Sequence, residues 1–277
     1  MSTDTSGSTS GTGAFDTGAY GDLSRPPLRA TALQRALAPD GWRVEVLRTT
    51  GSTNAVVAER ALAGEPAGLV VVAEQQTSGR GRLDRSWSSP PRAGLTLSAL
   101  VRPELPADRW PWLPLLTGLA VATAVREQAE LDAVLKWPND VLVDGRKVCG
   151  VLAEVPQPGA AVLGIGLNVT TRADELPTAT ATSLQLAGGA TTDRDTLLRA
   201  VLRALTDVLA DVDGSRAAYR ERCSTLGQRV RVEQPGGSVV EGVASAVDDD
   251  GRLVVDGRAH GAGDVVHLRP AGPGTAP

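Results

Sequence analysis

Apolar positions follow a strand-like spacing in some segments of the chain and a helix-like spacing in others. Short apolar or alternating runs, which are typical of β-strands, occur at residues 43–47, 69–73, 94–101, 134–136, 141–143, 148–154 and 162–169. Apolar residues three and four positions apart, which are typical of amphipathic helices, occur at 28–37, 52–62, 110–128, 194–209 and 216–223. Helices and strands therefore both contribute to the first 224 residues.

The pattern changes after residue 226. Short alternating strands at 228–233, 239–247, 252–255 and 265–268 are separated by turns that contain glycine. This pattern predicts a small, antiparallel, barrel-like module. We interpret its two histidines, His260 and His267, as ordinary surface residues rather than as a metal site.

The first 26 residues contain five Ser, five Thr and five Gly, with almost no aliphatic side chains. Such a segment buries too little apolar surface to offset the entropy lost on ordering. We therefore expect residues 1–26 to be a disordered, dispensable tail.

Composition excludes several classes of protein. The net charge of −4 over 277 residues argues against a general affinity for nucleic acid or anionic membranes. No apolar run approaches the ~20 residues that span a bilayer, and no secretory signal precedes the first strand. The two cysteines, Cys149 and Cys223, form no metal-binding pair. We expect a cytoplasmic protein with no membrane partner.

The segment 74–87, EQQTSGRGRLDRSW, is the first candidate for chemistry. Three arginines and two glycines within seven residues, Gly79, Arg80, Gly81, Arg82 and Arg85, follow an apolar strand. Glycines let a ligand approach the backbone, and guanidinium groups match phosphate geometry. The segment is interpreted as a phosphate-binding loop, although a solvated loop or a nucleic-acid patch would have a similar composition.

Three shorter segments add polar groups at the ends of predicted elements. In LKWPND, Pro138 disfavours a helix at Trp137, so Lys136 is expected to lie extended at a strand end and to serve as a point cation, while Asp140 can hold Mg²⁺ or accept a proton. A turn with an ordinary surface lysine is the alternative. The lysine is notable because the chain has two lysines, the other being Lys147, among its 28 basic residues. GIGLN at 164–168 places two glycines in a strand, which indicates either a close approach of a ligand or a bulge. Ser-Thr-Asn at 52–54 suits either a helix cap or a polar ligand.

The ordered set of motifs resembles the biotin protein ligases. It comprises GSTN (51–54), QxxGRGRxxRxW (76–87), KWPND (136–140), GRKVCGVLAE (145–154) and GIGLN (164–168). The resemblance implies an α+β fold with a mixed β-sheet catalytic domain and flanking helices, followed by a small SH3-like β-barrel. It also implies a catalytic domain at 27–224, an SH3-like domain at 225–270 and a tail at 271–277.

The resemblance further implies an AMP-forming ligase that joins biotin to ATP, with Mg²⁺, as biotinyl-5′-AMP. The biotinyl group would then pass to one lysine of the biotin carboxyl carrier domain of an acyl-CoA carboxylase. Mg²⁺ would be held mainly by the ATP phosphates. Some relatives carry an N-terminal DNA-binding repressor domain. Only about 40 residues precede the first predicted strand here, which is too few to form such a domain. No DNA partner is therefore expected.

Site residues follow from the motifs position by position. The implied catalytic residues are Lys136, Arg80 and Asp140. The implied biotin-binding residues are Ser52, Thr53, Asn54, Gln76, Gly79, Arg80, Gly81, Arg82, Lys136 and Gly150. The implied ATP-binding or adenylate-binding residues are Arg82, Arg85, Trp87, Lys136, Asn139, Lys147 and Asn168. Asp84 departs from the Gly common in the family and adds a negative charge beside the phosphate site.

We expect the loop to be mobile in the free protein and to cover the adenylate, with its arginines gaining partners only when phosphate is bound. Two other functions stay open at this point. A lipoate-type acyl ligase would share the fold and the adenylation step, although the motif with arginines, three glycines and a histidine is missing here. A nucleic-acid-binding module would also use an Arg/Gly loop.

Overall fold

The computed structural model describes residues 22–82, 85–234, 237–261 and 264–267. The strands before residue 170 are β1 (Arg43–Leu47), β2 (Leu69–Ala73), β3 (Gly79–Arg80), β4 (Ser86–Trp87), β5 (Gly94–Val101), β6 (Ala133–Lys136), β7 (Asp140–Val143), β8 (Arg146–Gln157) and β9 (Ala160–Asn168). Seven of them form a sheet in the order β1-β2-β5-β9-β8-β7-β6. The β1–β2 pair is parallel and the other pairs are antiparallel, so the sheet is mixed.

Helices cover both faces of this sheet. They are α1 (Ala30–Leu37), α2 (Thr53–Leu62), α3 (Trp112–Ala129), α4 (Arg194–Ala210) and α5 (Val212–Arg222). Val70 and Val72 of β2 join the large core that contains α1, α3 and α4, whereas Leu69 and Val71 join a smaller core with α2. A strand that is buried on both faces needs an apolar residue at every position, which explains the unbroken run in β2. The prediction of an α+β fold with a mixed sheet and flanking helices is confirmed.

Most predicted elements agree with the structure. The strands expected at 43–47, 69–73 and 94–101 coincide with β1, β2 and β5. The last helix begins at Val212 rather than at 216, because Asp211 caps it by accepting a hydrogen bond from the N–H of Gly214. The short β3–β4 hairpin was not predicted. Within the described ranges, no helix combines the length and apolarity that crossing a bilayer requires.

The C-terminal part is a five-stranded antiparallel sheet. Its strands are β10 (Arg229–Glu233), β11 (Val239–Val247), β12 (Leu253–Val255), β13 (Arg258–His260) and β14 (Asp264–His267), in the order β13-β12-β11-β10-β14. The prediction of a small antiparallel module is therefore confirmed. The tail expected at 271–277 lies outside the described residues.

Arginine side chains bind one turn of this module to the part of the molecule that contains the seven-stranded sheet. The backbone oxygen of Asp249 accepts hydrogen bonds from Arg109, Arg216 and the indole of Trp112. Its carboxylate pairs with Arg216 at 2.5 Å and with Arg220 at 3.0 Å. Both of these guanidinium groups also lie about 5 Å from the Trp112 ring (5.0 and 5.1 Å), a cation–π arrangement.

The N-terminal strap, residues 22–29, corrects an expectation. Disorder over residues 1–26 is wrong for residues 22–26, because Arg25 is only 5% exposed and pairs with Glu175 at 2.5 Å. The carbonyl of Pro26 accepts a hydrogen bond from Arg194 at 2.6 Å. Low aliphatic content had predicted a tail, but buried ion pairs hold this segment instead. Residues 1–21 lie outside the described residues.

Candidate active site

One row of directly paired residues crosses six strands of the large sheet. The cross-sheet row consists of Ala73, Thr96, Gly166, Gly150, Asp140 and Lys136. Paired residues on neighbouring strands project from the same face of a sheet. The register therefore brings the KWPND motif and both later glycine motifs to one face, the face that α2 covers.

Two glycines of β9 leave room on this face for side chains from elsewhere. A Cβ atom on Gly164 would lie 2.2 Å from Oδ1 of Asn54. A Cβ atom on Gly166 would lie 2.3 Å from the Trp87 ring. The groups that approach these glycines in this structure are Asn54 of α2 and Trp87 of the arginine loop, whereas the approach expected from the sequence was that of a ligand.

The start of α2 is fixed by side chains from two other elements. Ser52 occupies the N-cap position, and its oxygen accepts the N–H of Ala55 at 3.5 Å. Oε1 of Gln76 accepts hydrogen bonds from the backbone N–H (2.7 Å) and the hydroxyl (3.0 Å) of Thr53. The Ser98 hydroxyl lies 2.8 Å from Oγ1 of Thr53 and 2.5 Å from Oδ1 of Asn54. Three of the predicted biotin-binding residues, Thr53, Asn54 and Gln76, thus share one polar network with Ser98.

Asn54 is held more completely than the sequence indicated. Its amide nitrogen donates to the carbonyl of Leu152 at 3.2 Å and to the carboxylate of Glu154 at 2.6 Å. Since Oδ1 faces Ser98, protein groups already contact both ends of the buried amide. Asn54 is therefore suited to positioning its neighbours as well as to touching a ligand.

The arginine loop folds back over the sheet as the β3–β4 hairpin. Gly79 pairs with Trp87 and Arg80 with Ser86. Arg80 also forms an ion pair with Glu154 at 3.2 Å. The expectation that the loop arginines gain partners only on phosphate binding is wrong for Arg80, because β8 presents this carboxylate directly beneath the hairpin.

Lys136 ends β6, and the neighbouring residue is anchored by the C-terminal module. The backbone N–H of Trp137 donates to Oγ1 of Thr225 at 3.0 Å, and its indole N–H donates to the carbonyl of Gly251 at 3.0 Å. Ser224 adds two hydrogen bonds to the carbonyl of Leu135. The strand end that carries Lys136 is therefore held from both flanks.

His267 corrects the expectation of surface histidines. It is half-buried in the cleft wall, and its Nε2 lies 3.1 Å from Oγ1 of Thr225. Burial, reinforced by the charge of Lys136, lowers the pKa of His267. His260 is also buried, at 6% exposure. Contacts with distant residues, Thr225 for His267 and Gln234 for His260, explain the difference, and the local sequence does not show them.

The remaining polar groups of the site are Asp140, Lys147 and Asn168, together with the segment that contacts them. Asp140 and Lys147 form an ion pair at 2.6 Å. The Asn168 amide donates to the carbonyl of Thr182 at 3.0 Å, which leaves Oδ1 as the atom that it can offer to a ligand. The backbone of Lys147 bonds to Thr180 and Thr182. We call residues 177–182 the wall segment, because they bond to Lys147 and Asn168 and several of them line the cleft described below.

A single cleft of about 970 Å³ brings these groups together. Every predicted site residue except Gly79 lines it. Its cationic side chains are Arg80, Arg82, Arg85, Lys136 and Lys147, and its carboxylates are those of Asp140 and Glu233. The excess of positive charge suits an anionic ligand such as a nucleotide.

Sequence reasoning missed four parts of the site: Ser98, Glu154, His267 and the wall segment. Ser98 did leave a signal, because it is a polar residue in the apolar strand at 94–101. Glu154 ends the quoted motif at 145–154, but nothing in the sequence indicated its contacts with Asn54 and Arg80. His267 left no signal, since it reaches the site through packing of the C-terminal module.

The described residues contain no cluster of three or more His, Cys, Asp or Glu side chains that could hold a metal. Asp140 and Asn168 offer single oxygen atoms to the cleft. Mg²⁺ commonly takes one or two protein oxygens in addition to substrate phosphates and water. This donor set therefore fits a metal that arrives with a nucleotide rather than a resident ion.

Comparisons with known proteins agree with this geometry. Residues 46–170 match the Biotin/lipoate A/B protein ligase family, and residues 225–268 match the Biotin protein ligase C terminal domain. The biotin--[acetyl-CoA-carboxylase] ligase of Mycobacterium tuberculosis is 46% identical over 267 residues, which are 90% of this chain and 98% of that protein. The bifunctional ligase/repressor BirA of Bacillus subtilis is 31% identical over 74% of this chain, which spans 66% of that longer protein.

Solved structures show the same similarity. The Aquifex aeolicus biotin protein ligase in complex with biotin and ATP superposes with a TM-score of 0.70 at 29% identity, covering 82% of this chain and 99% of that one. The Leishmania major enzyme in complex with biotinyl-5-AMP superposes with a TM-score of 0.58 at 28% identity, covering 82% of this chain and 99% of that one. These matches confirm the expected fold, including the SH3-like C-terminal domain. The chain belongs to the biotin protein ligase family.

Proposed function

We propose that this chain activates biotin with ATP as biotinyl-5′-AMP, releases pyrophosphate, and passes the biotinyl group to one lysine of a biotin carboxyl carrier domain. The supporting observation is the cross-sheet row. It joins glycines that add no side chain of their own to the cleft floor, beneath the Trp87 ring, to Lys136 and a cationic loop, where phosphates can lie. Membership of the ligase family supports the same activity.

The two ends of the cleft suit different parts of the substrates. We assign the biotin head to the end formed by Ser52, Thr53, Gln76 and the glycine floor, because its hydroxyl and amide groups can bond a neutral polar ring. We assign the nucleotide to the end formed by Lys147, Asn168 and the wall segment. The biotin carboxylate and the α-phosphate then meet between these ends, beside Lys136.

In the first step a biotin carboxylate oxygen attacks the α-phosphorus of ATP and pyrophosphate leaves. Negative charge accumulates on the phosphoryl oxygens, and the Lys136 ammonium group stabilises it as a fixed point charge. Arg82 and Arg85, which line the same cleft, are placed to bind the phosphates. Mg²⁺, carried in on the phosphates with Asp140 or Asn168 as a protein ligand, would neutralise further charge.

In the second step the lysine amine of the carrier attacks the biotinyl carbonyl and AMP leaves. The mixed anhydride reacts with water, so it must be shielded until the carrier arrives. The β3–β4 hairpin lies over the glycine floor and is placed to do this. The buried free thiols of Cys149 and Cys223 and the use of ATP support a cytoplasmic location.

Mass spectrometry of the adenylate tests the proposal. The purified protein is incubated with ATP and either biotin or lipoate, and the product is identified by its mass while pyrophosphate release is followed. We expect biotinyl-AMP, no lipoyl-AMP, and no product when the α,β-bridging oxygen of ATP is replaced by a methylene group. Formation of lipoyl-AMP alone would instead identify a lipoate-type ligase.

Two additions extend the test. A carrier domain added to the preformed adenylate should become biotinylated on one lysine, which a substitution of that lysine abolishes. Filter binding with RNA and DNA at physiological salt tests the other class of function. Retention of nucleic acid without adenylate formation would replace the ligase proposal by that of a nucleic-acid-binding module.

A further inference from the structure

The N-terminal strap, residues 22–29, contacts the segment that leads into the nucleotide end of the cleft. We propose that the strap is a positioning element for ATP binding and that Arg25 is its principal positioning residue. This inference rests on the proposed function, because it assigns the nucleotide to the end of the cleft beside Asn168.

The first observation is the burial of Arg25 against the segment that follows β9. Its guanidinium group donates to the carbonyl of Thr170 at 2.9 Å and forms a two-point contact with the Glu175 carboxylate at 2.5 and 3.1 Å. Thr170 follows Asn168 by two residues. A guanidinium group that is 5% exposed and paired in this way fixes the direction in which the chain leaves β9.

The second observation is that the same segment continues into the wall of the cleft. Glu175 also accepts the backbone N–H of Arg172 at 2.8 Å, while Arg172 pairs with Asp22 of the strap at 3.3 Å. The Ser183 hydroxyl donates to the carbonyl of Thr171 at 2.8 Å and closes the base of this loop. The strap therefore binds residues 170–175, which form one side of a closed loop. The wall segment forms the other side of this loop.

The third observation is that the wall segment touches both nucleotide-end residues directly. Lys147 donates its backbone N–H to Thr180 at 2.8 Å and accepts that of Thr182 at 2.8 Å. Asn168 donates its amide N–H to Thr182 at 3.0 Å. Displacement of the loop would therefore move Lys147 and Asn168, whereas Thr53 and Gln76 at the biotin end have no bond to it among the described contacts.

A matched control exists within the strap. Arg29 also forms an ion pair, but its partner Asp195 lies in α4 and has no contact with the loop among the described bonds. Arg29→Ala therefore removes an ion pair from the same strap without releasing the wall segment, although the Arg29 side chain is 66% exposed and that of Arg25 is 5% exposed. Deletion of residues 1–21 leaves every described strap contact in place.

Steady-state kinetics of adenylate formation on the full chain tests the proposal. For Arg25→Ala we expect the KM for ATP to rise at least fivefold, with the KM for biotin and kcat within twofold of wild type. Arg25→Lys should be intermediate, because one ammonium group cannot serve both Thr170 and Glu175 as a guanidinium group does. Arg29→Ala and the deletion of residues 1–21 should leave both KM values unchanged.

A second readout does not depend on activity. Hydrogen–deuterium exchange should be faster over residues 169–184 in Arg25→Ala than in wild type, and ATP should protect this region less. A lower melting temperature with both KM values unchanged, or with both raised equally, would overturn the proposal and leave the strap a purely structural element. Absence of adenylate formation by the wild type would instead refute the proposed function, and the exchange data would still report on the strap.

Discussion

Lys136 is the single residue on which the proposed chemistry depends most. It is half-buried at the end of β6, which is an edge strand of the large sheet, and it faces the cleft beside Asp140. Neighbouring bonds to Leu135 and Trp137 hold the backbone on both sides of it. Its side chain can therefore be changed with little effect on the fold.

Lys136→Ala should slow adenylate formation by 10²–10³-fold, or about 2.7–4 kcal/mol by analogy with the loss of an oxyanion-binding donor. Lys136→Arg should also be slow, because a planar fork does not replace a point charge. Pyrophosphate release measures the rate, and the melting temperature monitors the fold. A variant that keeps more than about half of the wild-type rate would remove Lys136 from the mechanism.

His267 makes stability depend on pH. Because the folded protein lowers the pKa of His267 below its usual value of 6.5, the unfolded chain binds a proton more readily. The stabilising contribution is full above pH 6.5 and declines as the pH falls from there towards the lower, folded-state pKa. We expect the melting temperature to decrease on acidification through this window, and the decrease to be smaller in His267→Gln. Parallel curves for the two proteins would contradict this assignment.

At the scale of elements, the arginine loop makes two distinct contacts with the sheet. Arg80 pairs with Glu154, while Trp87 lies on Gly166 with the ammonium group of Lys147 at 5.9 Å from its ring. The Arg80–Glu154 pair is half exposed on the arginine side, at 51%, so its own contribution to stability is small. A ligand phosphate can therefore compete for Arg80.

Arg80→Gly should let the adenylate escape, so that bystander proteins become biotinylated at several times the wild-type rate while adenylate formation continues. Arg80 can act directly on the adenylate or only through its ion pair with Glu154, and Glu154→Gln distinguishes these two roles. This variant removes the carboxylate charge that pairs with Arg80 but keeps an oxygen near Asn54. If Arg80 acts on the adenylate, only Arg80→Gly leaks. Equal leakage from both variants would mean that Arg80 acts through Glu154. Adenylate half-life and bystander labelling are the measurements.

Local patterns predicted the elements well and the contacts between them poorly. The apolar run of β2 and the cap at Ser52 depend on neighbouring residues, so they were visible in the sequence. The Arg25–Glu175 pair joins residues 150 positions apart, and a polar, glycine-rich composition hid it. The motif residues were found because family resemblance carries long-range information that periodicity lacks. Glu154 belongs to such a motif, but its contact with Arg80 depends on how the hairpin folds.

At the scale of the whole molecule, the two sheets form one catalytic unit. The turn at Asp249 and Gly251 contacts Trp112 of α3 and Trp137 beside Lys136. Partial burial raises the pKa of Asp248, but hydrogen bonds from Arg252 and Asp250 within the turn together lower it below its usual value and keep the turn compact at neutral pH. The SH3-like domain therefore supports the geometry of the cleft.

Asp249→Ala should lower stability by about 1 kcal/mol, since it removes a mostly exposed carboxylate from Arg216 and Arg220. The melting temperature should fall by about 2–4 °C, and adenylate formation should slow, because Gly251 of the same turn bonds Trp137 beside Lys136. Asp213→Ala is the matched control, because Asp213 also pairs with Arg216 but lies in the same helix. Equal changes in melting temperature and activity in the two variants would show that the contact between the domains contributes no more than an ion pair within one helix.

The placement of the two lysines has a consequence for the reactive intermediate. An acyl adenylate acylates any amine it meets, and the side-chain amines of this chain are those of Lys136 and Lys147, both of which line the cleft. Its many other cations are arginines, which do not act as acyl acceptors at neutral pH because they remain protonated. The outer surface thus offers the adenylate no lysine side chain. Biotin attached to a lysine of the ligase would therefore show that the adenylate reacted inside the cleft. Adenylate that escapes the cleft would instead biotinylate lysines of other proteins.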